Sequence, residues 1–359
     1  MYLVNAHHVK NVTGRKDDES DAMWIQKLHS CGLLKSSYLP DEEQDLIRTL
    51  VRYRRVLIQD SSRFVLRMQK SLELMNIKLH TVISDITGET GSKIIEAIIN
   101  GERNAEQFIP MINRHIKASA ETIVKSLEGN WREDHLFTLT ENYKMYKWYK
   151  QRIAHLDVEI EKYLQRFEAR NNQGEITDKI KDTEPHQKIR KRKDKNHPRF
   201  NVRAYLEKIH GVDVLNIYGL SEIGGLELLA ETGTDLSKWK TDKHFKSWLN
   251  LCPNNKISGG KLISSRLMKK KPNTASQAFN GVQKGDHWLG DYFRRMKTKG
   301  GNKYAIVATA NKIATIYYQM VRFKKEFKPI DLESYQQKYK QAKITYLERK
   351  LKQLKTEAA

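Results

Sequence analysis

Residues 146–167 read YKWYKQRIAHLDVEIEKYLQRF, and the reading of this stretch decides the fold. Tyr146, Tyr149, Ile153, Leu156, Ile160, Tyr163 and Phe167 follow one another at spacings of 3, 4, 3, 4, 3 and 4. That is a heptad seam, and it predicts a long helix of coiled-coil type. The seam alone leaves its partner open: a second chain, or an antiparallel helix of the same chain packed as a hairpin.

Upstream, Pro40 followed by Asp41-Glu42-Glu43 is a helix start, with a fixed φ and acids at the positive end of the helix dipole. Leu46, Leu50, Tyr53 and Leu57, continued by Phe64, Met68, Leu72 and Met75, mark one face of a long helix or broken pair over about 41–80, with arginines outward. The glycine-punctuated stretch Ile86-Thr87-Gly88-Glu89-Thr90-Gly91 separates it from shorter helices across 92–127. At the start of the chain, Tyr2-Leu3-Val4 is β-prone, a polar loop follows, and Ala22, Ile25, Leu28 and Leu33-Leu34 continue as a helical pattern. A lone strand cannot satisfy its own backbone groups, so Tyr2-Leu3-Val4 needs a sheet to join.

Downstream of Asn171-Asn172-Gln173-Gly174 the composition turns basic: Lys188, Arg190, Lys191, Arg192, Lys193, Lys195 and Arg199 stand against the single acid Asp194. This reads as an inter-domain linker, either plain solvated chain or a segment that lies along phosphates. A second α-rich domain spans about 203–322, and a basic helical tail carrying Tyr335, Tyr339, Ala342, Tyr346, Leu351 and Leu354 closes the chain. The fold class is mainly α with a small α/β remnant. The expected divisions are 1–85, 86–175, 176–202, 203–322 and 323–359.

The 359 residues allow two or three domains. A net charge of +22 makes a polyanion the leading partner. With 39% hydrophobic residues and 19 glycines, the composition excludes wholesale disorder. No apolar run reaches the ~18–20 residues that span a bilayer, and the first thirty residues lack a signal-peptide core, so a cytoplasmic protein is expected. Cys31 and Cys252 form neither a disulfide framework nor a zinc motif.

Three stretches carry candidate chemistry. In Lys16-Asp17-Asp18-Glu19-Ser20-Asp21-Ala22, the carboxylates of Asp18 and Asp21 emerge on one helix face, close enough to hold one hard cation. Such a cation assists phosphodiester cleavage; the plainer alternative is acids capping a helix dipole. In Ile257-Ser258-Gly259-Gly260-Lys261, glycines let the backbone approach a phosphate, Lys261 supplies charge, and Ser258 is a candidate nucleophile on phosphorus. A Ser-Gly-Gly tripeptide is equally an ordinary turn. The third stretch, Ile209-His210-Gly211-Val212 with Ile223-Gly224-Gly225, offers backbone N–H groups to a phosphate or is a packing turn between helices. The twelve histidines show no HxH or HxxxH metal spacing, and no P-loop, GxGxxG or GxSxG is present.

Taken together, Asn5-Ala6-His7-His8-Val9-Lys10, Gly14-Arg15-Lys16, Asp18 with Asp21-Ala22, and Ser258-Gly259-Gly260-Lys261 more than two hundred residues later resemble the DEDD insertion-sequence transposases of the IS-one-ten group. Ile209-His210-Gly211-Val212 resembles the opening of that family's second domain, and Trp248-Leu249-Asn250-Leu251-Cys252-Pro253 its approach to the serine. The resemblance implies a RuvC-like nuclease domain joined through a coiled coil to a serine-bearing transposase domain. It matches Asp18 and Asp21 to the third and fourth acids of a metal-binding tetrad and Ser258 to the nucleophile; Asp17 stands where the family usually has threonine. It further implies Mg2+, element-end and target DNA, a structured guide RNA from the element's non-coding end, and a homo-oligomer in which the acids of one protomer face the serine of another. Nucleic-acid contacts fall to Lys16, Gly259, Gly260, Lys261 and Arg190, Lys191, Arg192 and Lys193.

The family's first aspartate and its glutamate lie on strands ahead of the segment resembling Tyr2-Leu3-Val4. The expectation is therefore a chain truncated at its start, with an incomplete RuvC-like domain, half a metal site, weak Mg2+ binding and little transposition on its own. The competing readings are a DNA- or RNA-binding protein without catalysis and an α-helical scaffold whose charge serves solubility.

Overall fold

The computed structural model describes residues 3–4, 18–34, 36–171, 195–266, 274–279 and 285–357. The expected basic run Arg190, Lys191, Arg192 and Lys193, and Lys16, lie outside the described residues. Among the described residues the chain is mainly helical, with one two-stranded sheet.

Helix α1 spans Asp18–Ser30, and α2 spans Glu42–Leu74. The start of α2 follows from its sequence: Asp41 caps it by accepting the Gln44 N–H at 2.9 Å, with Glu42, Glu43 and Asp45 in the first turn. Its buried stripe is Ile47, Val51, Arg54, Leu57, Ser61, Met68 and Leu72. Of the expected face, Leu57, Met68, Leu72 and Met75 are buried, while Leu46 and Tyr53 are exposed and Ile47 and Val51 face the core near the helix start instead. Apolar periodicity misled here because the stripe admits polar residues with dedicated partners: Arg54 meets Asp157, and Gln44 donates to the Ala230 carbonyl.

After a single turn at Leu79–Val82 come α3 (Glu89–Ile99), a 3-10 segment at Ala105–Met111 and α4 (Ala120–Ser126). Helix α5 then runs Glu133–Asn171 and carries the heptad seam. It lies antiparallel to α2 within the same chain: Arg54 faces Asp157, Phe64 faces Tyr149 and Ser71 faces Thr138. Of the two partners the seam left open, the chain supplies its own.

The helix pair serves two cores. Its Leu72 end joins Ile77, Ile94, Ile98, Phe108, Ile123 and Leu139 around the α3–α4 insertion. Its other end, with Ile47, Val51, Ile153, Leu156 and Ile160, merges into a larger core built from residues after 200. That region comprises α6 (Val202–His210), α7 (Glu222–Thr232), α8 (Asp242–Trp248), strands β1 (Asn254–Ser258) and β2 (Lys261–Arg266), α9 (Thr274–Ala278), α10 (Trp288–Phe323) and α11 (Leu332–Glu357). Gly300 and Gly301 break α10 with non-helical backbone. At the front of the chain, Val4 forms an isolated antiparallel bridge with Ser36, and Ser37 donates to the Leu3 carbonyl at 2.7 Å. No helix among the described residues is long and apolar enough to cross a membrane.

Candidate active site

The segment leading to Ser258 is pinned to the core before it leaves it. Leu249 and Leu251 are buried, and the Leu251 carbonyl accepts a hydrogen bond from the Asn311 side chain on α10 at 3.2 Å. Lys246 ties α8 to the same helix: its Nζ lies 2.7 Å from Asp242 and 3.1 Å from the Thr315 hydroxyl. The lysine holds the Asp242 carboxyl below its ordinary pKa, while burial pushes the neighbouring Cys252 thiol up.

Beyond this root, β1 and β2 project as an antiparallel hairpin with Ser258 opposite Lys261. Gly259 and Gly260 form the two-residue turn with φ of 54° and 75°. Both values are left-handed, as the tight hairpin turns matched to strand twist require, and they explain two consecutive glycines there. The ordinary-turn reading of Ser-Gly-Gly thus holds for the backbone, and its effect is to set Ser258 at an exposed tip beside Lys261. Ile257, Leu262 and Ile263 are 66, 58 and 69% exposed, so the hairpin stands clear of the body on both faces. A bulge between Lys256 and Ile257 offsets the register below the tip.

Asp18 opens α1 and Asp21 follows three residues later; the Asp18 side chain lies outside the described residues. Asp21 is exposed, and it makes no ion pair among the described residues. Two carboxylates at this spacing suit part of the oxygen shell of a hard divalent cation. Among the described residues no group of three or more His, Cys, Asp or Glu side chains gathers to complete one. No hydrogen bond or ion pair joins Asp21 to the Ser258 hairpin among the described residues.

The third candidate stretch resolves as helix packing. Ile223-Gly224-Gly225 lies inside α7, whose N-cap Ser221 accepts the Gly224 N–H at 3.1 Å. Gly211 ends α6, its N–H donating to the Glu207 carbonyl at 2.7 Å, and His210 is fully buried. Sequence reasoning passed over the outward flank of α5, where Trp148 and Arg152 sit one turn apart beside the seam residues Tyr149 and Ile153; that i, i+4 pairing was the available signal.

Two family models match the chain. One, for DEDD transposases of the IS110 type and described as a transposase, covers residues 1–77, which hold α1 and α2. The other, described as transposase IS116/IS110/IS902 family, covers residues 213–279, which hold the hairpin. No curated protein matches the chain. Transposase models thus match the chain in two separate regions, and the class they support is a DNA transposase or recombinase. The two matches support an insertion-sequence transposase of the IS110 type.

Proposed function

We propose that the chain cuts and joins DNA through Ser258. The observation that carries this reading is the exposed serine at the tip of a rooted hairpin, flanked by two glycines and Lys261. The Ser258 hydroxyl oxygen bonds to phosphorus, and the bond from phosphorus to a deoxyribose oxygen breaks. That oxygen leaves as a hydroxyl, taking up the proton the serine gives up. A hydroxyl from a second strand then displaces the serine and restores it. Lys261 lies opposite Ser258 across the turn and offsets the phosphate's charge.

Asp18 and Asp21 would contribute to holding Mg2+, which when bound neutralises charge on the phosphoryl oxygens. Two carboxylates leave coordination positions for further groups. On this reading the acids of one protomer serve the serine of another in a homo-oligomer, residues 203–322 form the serine-bearing domain, and a structured RNA selects the DNA on the nucleoid of a bacterial or archaeal cell.

The test is formation of a covalent protein–DNA adduct, seen as a shifted band on a denaturing gel, when the chain meets element-end DNA, Mg2+ and RNA from the element's non-coding end. Ser258→Ala removes the adduct and Asp21→Asn reduces it; an adduct that survives Ser258→Ala rejects the assignment. A second reading is binding without cutting, in which a chain of net charge +22 holds nucleic acid with no reaction at Ser258. Full DNA affinity with no adduct in the wild-type chain would select it.

A further inference from the structure

A continuous strip of alternating arginine and aromatic side chains crosses the outer surface of the α2–α5 pair. Arg67 lies over Phe64 at 5.0 Å. Phe64 meets Tyr149 of α5 at 5.4 Å between ring centroids, with planes 32° apart. Tyr149 meets Trp148 edge to face at 5.1 Å. Arg152 lies over Trp148 at 5.7 Å. The strip runs through two helices and belongs to neither core's interior: Trp148 is 45% exposed, Arg67 and Arg152 are exposed, and Phe64 and Tyr149 are half-buried.

Neither Arg67 nor Arg152 forms an ion pair among the described residues, so both guanidinium groups remain uncompensated at the ends of the strip. Helix packing alone does not call for this arrangement. An exposed tryptophan on the flank of α5 beside the Ile153–Leu156–Ile160 stripe buries little, and a cation at each end raises local positive potential in a chain of net charge +22.

We infer that the Arg67–Phe64–Tyr149–Trp148–Arg152 strip is a docking surface for an unpaired DNA strand. Aromatic faces stack on bases that are not already stacked in a duplex, and flanking arginines take the phosphates. A second copy of the chain is disfavoured as occupant, because it would bring like charge against Arg67 and Arg152. DNA is the strand assigned because a transposase exchanges DNA strands and so exposes unpaired bases. The inference rests on the chain acting on DNA, not on which residue cuts it.

The experiment measures binding of the full chain to a labelled oligo(dT) of about ten nucleotides by fluorescence anisotropy over a salt series. Trp148→Ala lowers affinity roughly tenfold with the salt slope kept, and Trp148→Phe retains most of the binding. Arg152→Gln weakens binding and lowers the salt slope by about 1. Trp148 is exposed, so each variant melts as the wild type does, and Ser258→Ala, carried alongside, binds as the wild type whatever becomes of the cutting reaction. Four results overturn the inference: wild-type affinity in Trp148→Ala, an equal loss on duplex DNA, tighter Trp148-dependent binding of oligo(U) than of oligo(dT), or a Trp148→Ala change confined to oligomeric state.

Discussion

Arg54 and Asp157 meet inside the protein where the two long helices and the returning chain converge. The Arg54 Nε lies 2.5 Å from Asp157 Oδ1, and an Arg54 Nη2 donates to the Asn196 carbonyl at 2.8 Å. The Arg199 N–H donates to Asp157 Oδ2 at 3.2 Å. The pair therefore fixes more than the α2–α5 contact: it sets where the chain re-enters after the segment following α5, and Phe200 inserts into the larger core immediately beyond.

Both members of this pair are almost fully enclosed, Arg54 3% and Asp157 2% exposed. Removing one leaves a buried charge without its partner. Asp157→Leu is expected to cost about 3–5 kcal/mol, and adding Arg54→Met to it recovers much of the loss, because the stranded guanidinium goes too. Urea denaturation followed by circular dichroism checks both changes; equal losses in the single and double variants would show that the pair's worth lies in something other than charge compensation.

His210 gives the fold a dependence on pH. It is fully enclosed, both ring nitrogens lack a hydrogen-bond partner among the described residues, and its ring stands edge to face with Tyr317. Burial first, and the nearby Lys324 ammonium second, depress its pKa from 6.5 to about 3. Below about pH 6.5 the unfolded imidazole takes up a proton that the folded one refuses until about pH 3, so its contribution to stability is lost as pH falls through that window. The loss is of the order of a few kcal/mol. In His210→Leu the difference in urea midpoint between pH 7 and pH 4 shrinks; an unchanged difference assigns the acid sensitivity to carboxylates such as Asp85, held low by its Thr87 and Lys195 contacts against the opposing effect of burial.

Much of this was legible in the sequence, and the failures share a cause. The 146–167 helix, the acidic helix start after Pro40 and the Ser-Gly-Gly turn each rest on local chemistry, and each appears where the residues place it. The first turns of the α2 face were misread because Gln44 and Arg54 are buried on partners over a hundred residues away, on α7 and α5, which periodicity does not register. The partner of the seam was likewise a question of tertiary contact, settled where Phe64 of α2 meets the seam's own Tyr149. The Arg67–Trp148 strip escaped because its members come from two helices whose register the sequence does not state.

Gly225 is the case where two readings of one motif separate cleanly. A Cβ placed there would lie 2.6 Å from Leu206 Cδ1 and 3.0 Å from Leu215 Cδ2, both in the larger core. Gly225→Ala is expected to destabilise by about 1–3 kcal/mol through overpacking. Well below its melting temperature the variant binds DNA as the wild type does. A loss of DNA affinity with unchanged stability would instead return Ile223-Gly224-Gly225 to the role of phosphate cradle.

The Gly259–Gly260 turn separates stability from chemistry in the opposite sense. Both residues hold left-handed φ, where an L side chain costs roughly 1–2 kcal/mol each, yet the hairpin buries little of itself against the body. The Gly259→Ala/Gly260→Ala double variant should therefore melt within about 0.5 kcal/mol of the wild type, because the strained hairpin opens locally rather than unfolding the core. With the tip opened, Ser258 is no longer held opposite Lys261, and adduct formation falls at least about tenfold. Gly259→Asn, a residue that tolerates this backbone region and forms the same turn before glycine, retains most of the activity. Measuring adduct yield against melting temperature across the three proteins tests the argument. Full adduct formation by the double-alanine variant would mean that the geometry of the tip does not position the serine.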